Sequence, residues 1–258
     1  MQSILINRLR IIVCLSAIFS IIPATAQDQI PEQLQDETHW QSQDKTQVYI
    51  ATDIVSQYIW RGLDYGGVSI QPSIGITKKG FSLTAYGNVG FDTEQTKTLG
   101  LSLGYQGKGL TVMLTDFWYS DAFTPDGKFP SKYFGYSAHT TTHIYEALLG
   151  YNFKYMSVEW NTIFGGYDYY KSDEGRAYST YIEIAAPFRI SAVDFKAHVG
   201  ITPWEGYYAD GFNVVNTGIK ATKTFYISDK LAIPVSTQII ANPYTEQVYM
   251  VAGIGFWF

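Results

Sequence analysis

The chain has 258 residues, 18 Lys and Arg against 23 Asp and Glu, a formal net charge of −5 and one cysteine. The acidic balance argues against a nucleic-acid partner, which requires a basic face, and a single thiol excludes a disulfide-built scaffold. The length suffices for a large closed β-structure without such staples.

In chain order, Arg8 and Arg10 precede an apolar run over residues 11–22 and the small-residue sequence Ala24-Thr25-Ala26. That order predicts a secretory signal peptide over residues 1–26; the run is shorter than the ~20 apolar residues of a spanning helix, which disfavours an uncleaved anchor. Cys14 lies inside the run without a lipoprotein cleavage context and reads as apolar filler. Cleavage after Ala26 leaves 232 residues, and loss of two arginines and no acid takes the charge from −5 to −7. Residues 27–46 are rich in Gln, Asp and Glu, which predicts a flexible periplasmic lead-in ahead of a single β-domain over 47–258.

From Val48 onward, apolar residues recur at every second position for about ten residues and then a turn appears, the signature of strands with one apolar and one polar face. In the clearest case Val68, Ile70, Pro72, Ile74 and Ile76 oppose Ser69, Gln71, Ser73, Gly75 and Thr77. About twelve such segments are expected, at 48–60, 68–77, 81–92, 98–105, 110–119, 142–153, 156–166, 177–187, 193–202, 214–225, 231–241 and 247–258. Tight polar turns such as Lys78-Lys79-Gly80 and Ser228-Asp229-Lys230 alternate with longer connections at 120–141, 167–176 and 203–211. This predicts an all-β, antiparallel up-and-down transmembrane β-barrel with an even strand number.

A soluble sandwich or lipocalin-like barrel also alternates, but its apolar face points inward. Here the segments approach the ~9–11 residues of a tilted membrane strand. The polar faces carry Gly, Ser, Thr, Asn and Tyr rather than Lys and Glu. Aromatics also cluster at segment ends (Tyr58 and Trp60, Trp118 and Tyr119, Tyr151 and Phe153, Tyr207 and Tyr208, Phe225 and Tyr226), as in interfacial girdles. The last segment alternates through Val248, Met250, Ala252, Ile254 and Phe256 to Phe258, and this resembles the C-terminal signal read by the barrel assembly machinery. The expected location is the cell outer membrane, with its lipids and lipopolysaccharide as neighbours.

The stretch Ser56-Gln57-Tyr58-Ile59-Trp60-Arg61-Gly62, with Gln71-Pro72-Ser73 in the next segment, resembles the S-x-Y-x-x-R-G stretch and following strand of TorF-type porins. This likeness covers roughly the first third of the secreted chain. The rest is similar in strand and turn pattern to outer-membrane barrels of Bacteroidota. The resemblance implies a channel and no particular solute.

Catalysis finds little support. A serine hydrolase needs a Ser, a His and an orienting group, but no G-x-S-x-G elbow is present, and His143 is followed by Ile144 and Tyr145 rather than by the His-x-Ser pair of an outer-membrane phospholipase. No enzyme, cofactor or metal is expected. His139 and His143 flank a threonine run in a loop, His39 lies in the lead-in, and Asp173-Glu174-Gly175 lacks EF-hand ligand spacing.

The remaining signal is the polar parity. With the apolar face against lipid, the acids Asp53, Glu146, Glu159, Glu183 and Asp194 and the bases Arg61, Lys196 and Lys220 face the lumen, with His198 beside them. Lys or Arg on the lipid side costs ~2–4 kcal/mol at the midplane. These residues serve either as an internal charge network or as a pore lining. Asp116 is a misfit, sharing the parity of Leu110, Val112 and Leu114. Glu146 and Glu159, on consecutive segments, are expected at similar heights and without mutual neutralisation. The reading is a small-solute channel, weakly cation-preferring or for neutral polar solutes. The alternative is a non-conducting barrel whose loops serve adhesion or envelope structure.

Overall fold

The computed structural model describes residues 45–92, 95–120, 132–137 and 139–258. The expected signal peptide, the lead-in up to residue 44 and the middle of the longest connection lie outside the described residues. All the regular structure described is strand: β1 (Gln47–Val55), β2 (Ile59–Trp60), β3 (Leu63–Asp64), β4 (Ser69–Lys78), β5 (Phe81–Gly90), β6 (Thr98–Gly107), β7 (Leu110–Tyr119), β8 (His143–Asn152), β9 (Ser157–Gly166), β10 (Thr180–Ile190), β11 (Val193–Thr202), β12 (Asn213–Ser228), β13 (Leu231–Asn242) and β14 (Gln247–Trp257). Strands β1 and β4–β14 form a closed antiparallel barrel of twelve strands, with β1 joining β14 to β4, while β2 and β3 pair only with each other. Closure leaves no strand edge unpaired. At the seam the backbone of Phe258 exchanges hydrogen bonds with Ile50, at 2.9 and 3.3 Å.

The two ends differ for local reasons. At one end, Lys79-Gly80 and Lys108-Gly109 have positive φ at both positions. That is the two-residue type I′ geometry whose twist matches that of paired strands. This is the turn end; the long connections gather at the other, the loop end.

Register carries the alternation around the wall, because paired residues share a face. Ile50 pairs with Ile74, Ile74 with Ala85 and Ala85 with Leu101, and this row points outward. Large apolar side chains of the outward set are exposed, with Val48 at 64 %, Leu83 at 57 % and Met250 at 73 %. The inward set is Ser, Thr, Gly, Asn and Tyr, with the charged residues. Two inward tyrosines lie over glycines of the neighbouring strand. A Cβ on Gly75 would come within 2.2–2.6 Å of three Tyr49 ring and hydroxyl atoms, and one on Gly100 within 2.6–2.9 Å of Tyr86 ring atoms. The missing side chains allow these rings to lie against the wall.

Three expectations need correction. The segment 48–60 is not one strand: β1 stops at Val55 and the chain turns into the β2–β3 hairpin. Pro187 does not end its strand, since β10 runs on to Ile190 and pairs with β11 through to Val193. The aromatics at segment ends do not form a uniform girdle. Tyr151 and Phe153 are exposed, whereas Tyr58, Tyr119 and Tyr208 are buried. End-of-strand clustering carries no information about which side of the wall a ring occupies.

The packed core sits at the loop end, inside the lumen. Tyr181, Tyr208, Ala209 and Val215 form one cluster, with Trp60 and Leu63 against it. Tyr119, Ile144 and Ile163 form a second, with Tyr65 and Phe117 against it. The hairpin therefore contributes to both.

Candidate functional site

The hairpin begins where alternation fails. Ser56 leaves the β1 ladder and is tied to β14, its N–H donating to Ala252 O at 2.8 Å and its Oγ accepting from Ala252 N at 2.9 Å. Tyr58 and Tyr65 continue the hairpin ladder, and Ile59–Trp60 pairs with Leu63–Asp64. The two turn residues are Arg61 (φ 53°) and Gly62 (φ 81°), another type I′ turn. A Cβ on Gly62 would lie 2.1 Å from the Val215 carbonyl oxygen, so only glycine fits. Asn242 Nδ2 donates to the Gly62 carbonyl at 3.1 Å. The S-x-Y-x-x-R-G stretch is thus this hairpin, folded inward.

Its tip carries an ion pair within the lumen. Arg61 donates from Nη1 to Glu146 Oε2 at 2.5 Å, from Nη2 to Glu146 Oε1 at 2.9 Å and from Nη1 to Tyr208 Oη at 2.7 Å. The guanidinium lies 4.4 Å from the Trp60 ring centroid and 4.9 Å from that of Tyr181. A two-pronged arginine–carboxylate pair combines charge with fixed geometry. The Tyr58 and Tyr86 hydroxyls are 2.8 Å apart, and the Tyr65 hydroxyl bonds that of Tyr207. Arg61 is therefore a largely buried anchor, held by the pair with Glu146.

Below the hairpin is a cavity of about 580 Å³ that reaches Gly80 and Gln106 at the turn end. Tyr58, Trp60, Arg61, Phe117 and Glu146 roof it, and the inner faces of β4–β8 supply hydroxyl-bearing walls.

Most of the remaining charged residues line the opposite wall, on β9–β12. Lys196 Nζ lies 3.4 Å from Glu183 Oε1. Tyr181 Oη donates to Glu183 at 2.6 Å and accepts from Asn216 Nδ2 at 2.8 Å, and His198 Nε2 is 3.3 Å from Asn216 Oδ1. Asp194 is paired with Arg189, its partner across the β10–β11 turn. Lys220 lies opposite Lys196 and Gln238. Asp53, on β1, accepts from Trp257 Nε1 at 3.2 Å. Glu159 pairs in register with Glu183 on one side and Gly150 on the other.

The expected relation between Glu146 and Glu159 is corrected. Glu146 is opposite Ile163, four residues from Glu159 along β9, and Arg61 neutralises it. The inventory of bases also lacked Arg189. Continuing the alternation of Glu183 past Pro187 would have found it. Tyr181 and Asn216 were missed because uncharged residues on a polar face carry no distinguishing signal, and Tyr208, expected in an interfacial girdle, lies in the connection between β11 and β12 and turns inward.

Asp116 does face outward, as its parity requires. It pairs in register with Tyr145, and its Oδ1 lies 2.7 Å from His143 Nδ1. His143 Nε2 lies 2.6 Å from the Tyr133 carbonyl oxygen. Both neighbours are acceptors, so the ring joins the wall to the segment 132–137. Tyr133 and Tyr136 cover it, with ring centroids 5.4 and 4.9 Å from that of His143. His139 stacks on Tyr169 at 4.2 Å.

In the connection 167–179, Asp168 is buried and accepts from Ser179 N at 3.0 Å and Ser179 Oγ at 2.5 Å. Burial raises its carboxyl above the usual range, while the two Ser179 bonds pull it back. No group of three His, Cys, Asp or Glu among the described residues is placed to hold a metal ion.

No family model and no curated relative matches the chain. Among solved structures, it is similar to the NanC porin at 7 % identity and a TM-score of 0.42, over 82 % of this chain and 99 % of that one. It is also similar to an outer-membrane channel from Pseudomonas putida F1, at 10 % identity and 0.43, over 84 % and 97 %. A third is a Rhodopseudomonas blastica porin variant, at 12 % identity and 0.38, over 83 % and 100 %. At these values nothing about activity transfers.

Proposed function

We propose that the chain is a porin-like channel of a bacterial outer membrane that passes small, uncharged or weakly cationic polar solutes, with the inward hairpin as its constriction. The observation that carries this is the inverted polarity of the barrel. Its outer face is predominantly apolar and its inner face is polar, which is stable where hydrocarbon covers the outside and water enters the inside. Outer-membrane lipids and lipopolysaccharide are then the surroundings of the wall, and the assembly machinery recognises the strand ending at Phe258. Deleting Phe258 lowers the amount of folded, heat-modifiable barrel; normal abundance would remove that role.

Charge supports weak selectivity. The inner parity holds five acids (Asp53, Glu146, Glu159, Glu183, Asp194) against four bases (Arg61, Arg189, Lys196, Lys220), and three of the acids are in ion pairs. Paired charges cancel much of each other's field, and a small excess of acid favours cations slightly. An anion or phosphate pore needs rings of Arg or Lys.

Reconstitution in planar bilayers tests the reading: it expects stepwise conductance with weak cation preference in a salt gradient. A clear anion preference overturns the selectivity. The packed loop end is the observation that favours a second reading, a non-conducting barrel displaying its loops, and silence across many insertions of correctly folded protein would establish it.

A further inference from the structure

We propose that the cavity under the hairpin is a binding site for neutral carbohydrate of about disaccharide size. The inference rests on the lumen being reachable from water, as the channel reading requires, but not on conduction.

The cavity's chemistry is two-sided. Tyr49 and Tyr86 line it with their rings held against the wall over Gly75 and Gly100. Of the two, Tyr86 lies edge-to-face with Phe117 at 6.4 Å, and the aromatic surface that this pair gives the cavity suits the C–H face of a pyranose. Beside it stand the hydroxyls of Ser82, Thr84, Ser102 and Thr115, set among the apolar side chains of Val112, Met113 and Leu148. Each hydroxyl both donates and accepts, so a wall of them matches sugar hydroxyls, which do the same. Some already bond each other, Tyr49 with Thr84 at 3.1 Å and Ser102 with Thr115 at 2.9 Å.

Charge narrows the ligand class. Among the described residues, the charged groups lining the cavity are Arg61 and Glu146 at the roof, and they are bonded to each other. An ionic solute entering would lose hydration without a free counter-charge to replace it. A neutral solute meets no such penalty. The volume of about 580 Å³ accepts a ligand larger than a monosaccharide, and pockets of 300–1,000 Å³ are the usual range for small-molecule sites.

The test uses the full-length folded protein in detergent, titrated with maltose, with its acidic counterpart maltobionate and with phenol, and read by calorimetry. Saturable maltose binding is expected, at least about tenfold tighter than maltobionate. Tyr86→Leu should weaken it about fivefold or more while Tyr86→Phe, which keeps the ring, largely retains it. Should Tyr86→Leu fail to fold, Ser102→Val with Thr115→Val removes hydroxyls and keeps shape, with the same weakening expected. Equal binding of maltobionate, or phenol binding that displaces maltose and survives the hydroxyl substitutions, would overturn the proposal. So would absence of maltose binding in a protein that conducts, which leaves the channel reading intact. Maltose binding in a protein that is silent in bilayers supports the site and removes the channel.

Discussion

The two halves of the lumen are built from the same strands with the same alternation, yet they are filled in opposite ways. Toward the turn end the inner face carries Ser, Thr and Tyr around a cavity on one side and the ion pairs of β10 and β11 on the other. At the loop end the same face disappears under Trp60, Leu63, Tyr65, Tyr207 and Tyr208, which pack with the buried Tyr119, Tyr181 and Val215. The difference comes from the connections. Two-residue turns have nothing to insert, whereas the longer connections at the other end carry aromatic side chains inward. A barrel of this strand number lies between small barrels filled by their own wall and wide porins. Whether such a lumen is open is therefore decided by what its loops bring into it.

Removing the hairpin is the sharpest way to break this contrast. Replacing residues 58–65 with a Gly/Ser linker should turn the packed half into an open one and raise single-channel conductance several-fold, while the twelve-stranded wall still runs as a heat-modifiable band. Conductance equal to that of the unaltered protein would show that the hairpin does not limit the path.

A smaller effect is expected from the anchor. Arg61→Met or Glu146→Gln alone breaks the pair inside a packed region, and orphaning one partner of a buried ion pair costs ~3–5 kcal/mol. Hydrogen exchange in the hairpin should accelerate accordingly in each single variant. The double variant Arg61→Met with Glu146→Met should recover much of the protection, since replacing a buried pair by apolar groups is often near neutral. A double variant as mobile as the singles would mean that charge itself holds the hairpin.

The smallest effect belongs to the charged wall. Glu159 lies below the hairpin, and Glu159→Gln should reduce cation preference slightly in a reversal-potential measurement. Glu183→Gln should do less, because Lys196 already neutralises it. If Glu183→Gln produced the larger shift, the ion pair would not be limiting the field in the lumen.

Much of this was legible in the residues themselves. Period-two alternation fixed the class, the approximate strand number and the side of the wall on which Glu159, Glu183, Asp194, Lys196, His198 and Lys220 stand, because a strand offers its side chains to only two faces. Parity even placed Asp116 outward. What alternation could not supply was its partner, since His143 comes from a neighbouring strand and Tyr133 from the following connection.

The hairpin shows the boundary most clearly. Arg61-Gly62 has the composition of a tight turn, and the sequence alone determined that a turn was possible there. That the turn points into the lumen was decided by the tertiary structure: Glu146 is 85 residues away along the chain, Tyr208 is 147 away and Asn242 is 180 away from Gly62. Local sequence sets backbone preference within a few residues. A buried arginine is stable only where a carboxylate and a hydroxyl arrive together, and closure of the barrel is what brings those distant strands and loops to one place.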